Sequence, residues 1–125
     1  MASFSHSLSR SFRAAWRGVL TAFRAERTFR VMLAAAFLVI AVVATLPLET
    51  WERALLLVLT GGVLVLELLN SLVERLADLL KPRLSSYVGE LKDLMAAAVL
   101  AAAVFSGLAA LLILAPHMRT LLQQF

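Results

Sequence analysis

Four polar residues, Glu67, Asn70, Glu74 and Asp78, lie within residues 64–80 of a chain that carries few charges elsewhere. At about 100° per residue, these positions fall within an arc of roughly 80° on one face of a helix. We call them the acidic stripe. An ionisable side chain facing lipid is costly, so the stripe must contact protein or a water-filled cleft. Its oxygens suit a hard cation such as Mg²⁺, and one carboxylate could act as a general base.

Readings without catalysis remain open from the spacing alone. The acidic stripe could pair with arginines of the N-terminal arm and so join helices, or it could line a pathway for cations. Glu26, the one acid among residues 1–30, could pair with Arg30 four residues later on the same helix. His6 and His117 are isolated near the ends of the chain, and we expect neither to bind a ligand.

Lys92 and Asp93 stand at the predicted start of a later helix. A lysine at a helix N-terminus opposes the macrodipole unless an anion such as a phosphate binds there. The alternative is an interfacial lysine that extends to the lipid headgroups.

The composition of the chain indicates a membrane protein of one domain, residues 1–125. Of these residues 62% are hydrophobic and only 16% are charged, and the mean hydropathy is +0.89. A soluble domain of this size needs a more polar surface. No cysteine is present, which excludes disulfides and thiolate metal sites. We expect no signal peptide, because the first long apolar run starts only at Val31, behind six arginines.

The fold class predicted from the hydrophobic pattern is all-α, with an N-terminal amphipathic interfacial helix and three transmembrane helices. Residues 1–29 form the arm, whose aromatic and basic side chains fall on opposite faces of a helical wheel, as in helices at the headgroup boundary. Residues 30–48, 51–80 and 92–116 are the predicted spans. Thr50 is a predicted N-cap of the second span, and Lys81-Pro82-Arg83 should end it.

The basic residues are concentrated at two places, which predicts the orientation of the chain. Residues 1–30 carry six arginines, and the connection 81–92 adds Lys81, Arg83 and Lys92. The positive-inside rule places both on the cytoplasmic side of the membrane. Topology explains this basic charge better than nucleic-acid binding, so we expect no nucleic-acid partner. The polar end of the second span then faces the compartment that contains ATP.

The pattern E-x-x-N-x-x-x-E, formed by Glu67, Asn70 and Glu74, is followed by Asp78 and then by Lys92-Asp93 before an alanine-rich helix. Together these motifs resemble the prokaryotic integral-membrane diacylglycerol kinases, a family that includes the undecaprenol kinases. The arm adds to the resemblance over nearly the whole chain. Its matching segments are Trp16-Arg17-Gly18 and Glu26-x-x-Phe29-Arg30.

The resemblance implies an ATP- and Mg²⁺-dependent lipid kinase in the bacterial inner membrane. It implies a homotrimer of three-span subunits, with active sites at subunit contacts near the cytoplasmic surface. The γ-phosphoryl group of Mg-ATP would pass to a lipid hydroxyl, whose proton Glu67 would take as base. Glu26 and Glu74 would hold the metal, and Asn70 would support that cluster.

The resemblance also implies the nucleotide contacts. Lys92 would contact the phosphates during transfer, and Asp78, Asp93 and Arg17 would lie around the nucleotide. Diacylglycerol, giving phosphatidic acid, is the leading acceptor, and undecaprenol is the alternative.

Two function classes other than a kinase could use the same residues. A small membrane transporter could use the acidic stripe as a coupling site. Small multidrug exporters, however, usually have four spans and an acid within the first, and the first span here has none. A non-catalytic membrane assembly protein would not explain why Asn70 and Lys92-Asp93 accompany the carboxylates.

Overall fold

The computed structural model describes residues 2–80, 83 and 85–125, which form four helices. They are α1 (Ala2–Ala25), α2 (Arg27–Thr45), α3 (Thr50–Leu80) and α4 (Ser85–Gln123). By length and composition α2, α3 and α4 can each cross a membrane. The predicted all-α fold with three candidate spans is therefore confirmed.

The amphipathic helix α1 leaves the side chains of its aromatic face exposed. Phe4, Phe12 and Trp16 are each more than half exposed, as a face that contacts lipid would be in a single chain. The arginines of the opposite face are also exposed. The interfacial position of α1 stays a prediction, since it depends on the surrounding lipid.

The junction between α1 and α2 is a single non-helical residue, Glu26, with φ −113° and ψ 112°. Arg30 stabilises this junction, because its Nη1 donates to the carbonyl oxygens of Phe23 at 2.9 Å and Arg24 at 3.3 Å. These carbonyls belong to the last turn of α1 and lack partners within that helix. The possible Glu26–Arg30 ion pair is therefore wrong: the guanidinium caps α1 instead.

Helix α3 lies between α2 and α4 and packs against both. The main core cluster lies at the end of α3 near Thr50, where Leu48, Leu56 and Ile113 are buried together. Further along, a cavity of about 190 Å³ separates the three helices, lined almost wholly by apolar side chains. The cavity borders the core cluster, since Leu56 belongs to the cluster and also lines the cavity.

Helix α4 is longer than the predicted third span at both ends. It begins at Ser85 and continues through Pro116 to Gln123. A proline inside a helix removes one backbone hydrogen bond, and the remaining ladder still carries the helix past it. Charged residues near its start are exposed to water, so they do not shorten the helix.

The start of α3 is capped differently from the prediction. Thr50 is already helical, and the backbone N–H of Glu49 donates to Glu52 Oε1 at 2.9 Å. This is the reciprocal half of a capping box, in which an acid three residues into the helix satisfies the preceding N–H. The predicted stop at Lys81-Pro82 lies outside the described residues, and Leu80 is the last residue of α3.

Truncation of Leu56 tests the core near the α2–α3 turn. Leu56 is 2% exposed, whereas its neighbour Leu57 is 46% exposed. We expect Leu56→Ala to lower the free energy of unfolding by about 1–3 kcal/mol. This loss is smaller than is usual for the same substitution in a soluble protein, because lipid is as apolar as the core. Leu57→Ala, the matched control, should cost less. Unfolding in detergent micelles measures both, and equal losses would contradict the assigned core.

Candidate functional site

The acidic stripe changes from buried to exposed along α3. Glu67 is only 2% exposed, Asn70 and Glu74 are half-buried, and the side chain of Asp78 is 66% exposed. The stripe therefore runs from the interior of the bundle towards the surface at the end of α3. This is the gradient expected of a cleft that opens on one side of a membrane.

Three carboxylates converge near the α1–α2 junction. Glu26 and Glu74 both lie close enough to Glu67 for their negative charges to repel it. Glu26 reaches this position because the chain turns there between α1 and α2, and α1 also contacts α3. Within the described part of the chain none of the three forms an ion pair. Among the described residues, Glu67 and Glu74 of the stripe thus form no ion pair with arginines of the arm.

The donor chemistry of this cluster fits a hard cation only in part. Carboxylate oxygens are suitable ligands, yet no three acids or histidines of the described residues are arranged to enclose a metal ion. Mg²⁺ commonly takes one or two carboxylates and completes its octahedron with water and substrate phosphates. Glu26 and Glu74 therefore fit a cation that would complete its ligand set from outside the chain.

Lys92 and Asp78 meet across α3 and α4. Lys92 Nζ lies 3.4 Å from Asp78 Oδ1, and their side chains are 32% and 66% exposed. An exposed ion pair contributes at most about 1 kcal/mol, so this contact does little to hold the helices together. Its significance is its position, because it places a cation beside the open end of the acidic stripe.

The position of Lys92 in its helix differs from the prediction. Because α4 begins at Ser85, Lys92 lies about two turns inside the helix and not at its N-terminus. The proposed anion site at a helix terminus is therefore wrong for this residue. Its charge is placed by contact with α3 instead.

Two predicted nucleotide-site residues are not joined to the carboxylates. Arg17 is exposed on α1, where its carbonyl accepts a hydrogen bond from Thr21 Oγ1 at 2.8 Å. Asp93 is exposed beside Lys92. No hydrogen bond or ion pair between described residues links either of them to Glu67. Their roles stay predictions, as does that of Asn70.

One polar contact was missed by the sequence interpretation. His117 Nε2 lies 3.2 and 3.3 Å from the two carboxylate oxygens of Glu52, at the opposite end of α3. The two residues are 65 positions apart, so no local motif signals the pair. The pair could have been predicted from the register of the two helices. In an antiparallel α3–α4 hairpin, a contact between Asp78 and Lys92 brings Glu52 close to His117.

Comparison with known proteins shows to which family the chain is related. A family model described as prokaryotic diacylglycerol kinase matches residues 13–114. A protein of Synechocystis sp. named diacylglycerol kinase is 38% identical over 95 residues, which cover 75% of this chain and 54% of that relative. A Bacillus subtilis protein named undecaprenol kinase is 35% identical over 109 residues, covering 87% of this chain and 89% of that relative.

The matches cover the helices that carry the acidic stripe, the α1–α2 junction and Lys92. The chain spans about half the length of the Synechocystis relative and most of the Bacillus one. The resemblance inferred from the E-x-x-N-x-x-x-E pattern is confirmed. The chain therefore belongs to the prokaryotic diacylglycerol kinase family, a family of membrane lipid kinases.

Proposed function

We propose that this chain transfers the γ-phosphoryl group of ATP to the hydroxyl of a membrane lipid, with diacylglycerol as acceptor and phosphatidic acid as product. The observation that carries the proposal is the cluster of Glu26, Glu67 and Glu74 at the end of the bundle where Lys92 meets Asp78. A buried carboxylate on a stripe that becomes exposed towards the end of α3 is suited to a lipid hydroxyl on one side and a nucleotide on the other.

Glu67 is the proposed general base. The hydroxyl oxygen of the lipid forms a bond to the γ-phosphorus, the bond from that phosphorus to the bridging oxygen breaks, and ADP leaves. The hydroxyl proton passes to the Glu67 carboxylate. Burial of Glu67 among apolar helices puts its carboxylate at a depth that a lipid hydroxyl can reach from the bilayer.

Glu26 and Glu74 are the proposed holders of Mg²⁺. When bound, the ion neutralises charge on the phosphates and orients them. The two carboxylates come from different elements, the α1–α2 junction and α3. Asn70, one turn from both Glu67 and Glu74 on the same face of α3, supports their positions.

Lys92 is the proposed phosphate contact. Its ammonium group stands on α4 facing Asp78 and offers three donors to phosphate oxygens. Asp78, Asp93 and Arg17 are proposed to surround the remainder of the nucleotide. Because transfer depends on positioning and charge neutralisation, this set needs no soluble-kinase phosphate loop.

We further propose that the chain acts as a homotrimer in the bacterial inner membrane, with its N-terminus in the cytoplasm. The exposed apolar surfaces of α2, α3 and α4 support membrane spanning and leave faces for neighbouring copies. The six arginines of residues 1–30 support a cytoplasmic position of the N-terminus. The arm's aromatic face then rests on the inner leaflet.

Undecaprenol is the second candidate acceptor. The Bacillus subtilis relative bearing the name undecaprenol kinase aligns over 87% of this chain and 89% of its own length. Both acceptors present a hydroxyl at the membrane surface, so the same residues serve either reaction.

Substitution of the base tests the chemistry. We expect Glu67→Gln to reduce phosphoryl transfer at least about 100-fold, because it removes proton acceptance while keeping the shape of the side chain. The measurement is label transfer from γ-labelled ATP by purified protein in mixed micelles. Diacylglycerol and undecaprenol are offered in parallel, so the labelled product also identifies the acceptor.

The control for this substitution is Glu90→Gln, which removes an exposed carboxylate from α4. It should transfer label as the unsubstituted protein does. Equal activity of the Glu67→Gln variant would overturn the base assignment, and no label on either lipid would overturn the kinase proposal.

Substitution of Glu74 tests the metal role. Glu74→Ala should raise the Mg²⁺ concentration for half-maximal activity at least about tenfold, because one of two protein ligands is lost. Mg²⁺ should also raise the thermal stability of the unsubstituted protein in ATP more than that of the variant. Glu90→Ala is the matched control. An unaltered Mg²⁺ titration and thermal shift would contradict the assignment.

The oligomer is tested by native mass spectrometry in mild detergent. We expect trimers, because the apolar faces left exposed in one chain can bury against copies of themselves. Monomers alone, from protein that transfers phosphate, would exclude active sites built at subunit contacts.

A further inference from the structure

The contact between Glu52 and His117 is more constrained than an ordinary surface pair. The Glu52 side chain is only 10% exposed and that of His117 is 24% exposed. An ionised carboxylate accepts only, so the ring N–H of His117 donates to Glu52. Glu52 Oε1 also accepts from the backbone N–H of Glu49 at 2.9 Å. The carboxylate is thus held by hydrogen bonds from Glu49 and from His117. A shift of α4 would lengthen the hydrogen bond to His117, because the other bond holds Glu52 in place.

Between side chains that the structure describes, two polar contacts join α3 to α4, one near each end. They are Glu52–His117 and Asp78–Lys92. The two acids are about 26 residues apart on α3, and their partners are about 25 residues apart on α4. The distance along the helix axis between the two contacts is therefore roughly 38 Å on both helices. On α4 the two partners fall within about 20° of the same face. One register of the two helices therefore satisfies both contacts.

The segment between these contacts does little to select that register. It is rich in alanine, and a cavity of about 190 Å³ opens between the helices there, lined in part by Ala103 and Ser106. A Cβ added to Gly107 would meet nothing within 4 Å. On α4 the wall of this cavity consists of small side chains, so α4 has few large side chains there that could interlock with α3 and fix its axial position.

We propose that Glu52 and His117 are positioning residues that set the axial position of α4 and thereby place Lys92 against Asp78. The pair acts on the phosphate contact from the opposite end of the helix, at a distance of roughly 38 Å. The inference rests on the proposed function, because it takes Lys92 to be a ligand of the ATP phosphates. Its mechanical part, the coupling between the two ends, does not depend on catalysis.

Kinetics of two His117 variants test the catalytic part. His117→Leu, which removes the donor, should raise the KM for ATP about threefold to tenfold while the KM for lipid stays within about twofold, since displacement of about 1 Å is enough to weaken a positioned contact. His117→Gln keeps a donor and should restore the KM for ATP. Arg119→Leu, at an exposed position two residues on, is the control. A purely structural role would lower yield or thermal stability and leave the KM values of the folded protein unchanged.

A distance measurement tests the mechanical part. The chain has no cysteine, so Leu79→Cys and Leu94→Cys introduce unique spin-label sites on exposed positions of α3 and α4. Labelled protein is diluted with unlabelled protein, so that distances within one subunit dominate. Adding His117→Leu should shift or broaden the label distance, and adding His117→Gln should not.

The outcomes separate the two proposals. An unchanged distance with an unchanged KM for ATP overturns the positioning role. That result is the one expected if Pro116, directly before His117, uncouples the end of α4 from the rest of the helix. A changed distance in a protein that phosphorylates neither lipid supports the coupling and overturns the kinase proposal.

Discussion

A carboxylate buried in an apolar bundle is costly, and the position of Glu67 reflects that cost. At 2% exposure it has lost nearly all contact with water, and the neighbouring Glu26 and Glu74 add repulsion. Packing of the Glu67 side chain does not offset the cost of burying its charge, because a leucine would fill the same space. The arrangement is stable only if the surrounding helices hold the carboxylates in place regardless. The rest of the fold can be understood as meeting that condition.

The α1–α2 junction and the central helix α3 together hold the three carboxylates in place. Arg30 caps the carbonyls that α1 leaves open, which fixes the point where the chain turns and so fixes Glu26. Helix α3 has neighbours on both sides and carries a polar group at each end, with apolar residues between. A phosphoryl-transfer site could thus occupy one end while the core cluster around Leu56 lies near the other.

The sequence alone was sufficient for features set by local pattern. Helix class, the three candidate spans and the shared face of the acidic stripe follow from hydrophobic runs and from a 3.6-residue period. It was insufficient for contacts set by tertiary register. The capping of α1 by Arg30 competes with a plausible i, i+4 pair, and spacing cannot decide between them. His117 contacts Glu52 across 65 positions, and Lys92 lies about two turns inside α4 and not at its predicted start.

The charge distribution explains why such a site would need cations to accept ATP. The nucleotide brings several negative charges to a cleft that already holds three carboxylates, and Asp78 lies against the one lysine facing that cleft among the described residues. Like charges in surroundings of low polarity repel one another strongly, so added positive charge would favour nucleotide binding there. A divalent cation held by Glu26 and Glu74 would supply positive charge at this point and so reduce the repulsion between the carboxylates and the phosphates. The acids that repel one another in the bundle would then help to hold the nucleotide through the cation, and binding of the metal and of the nucleotide would depend on each other.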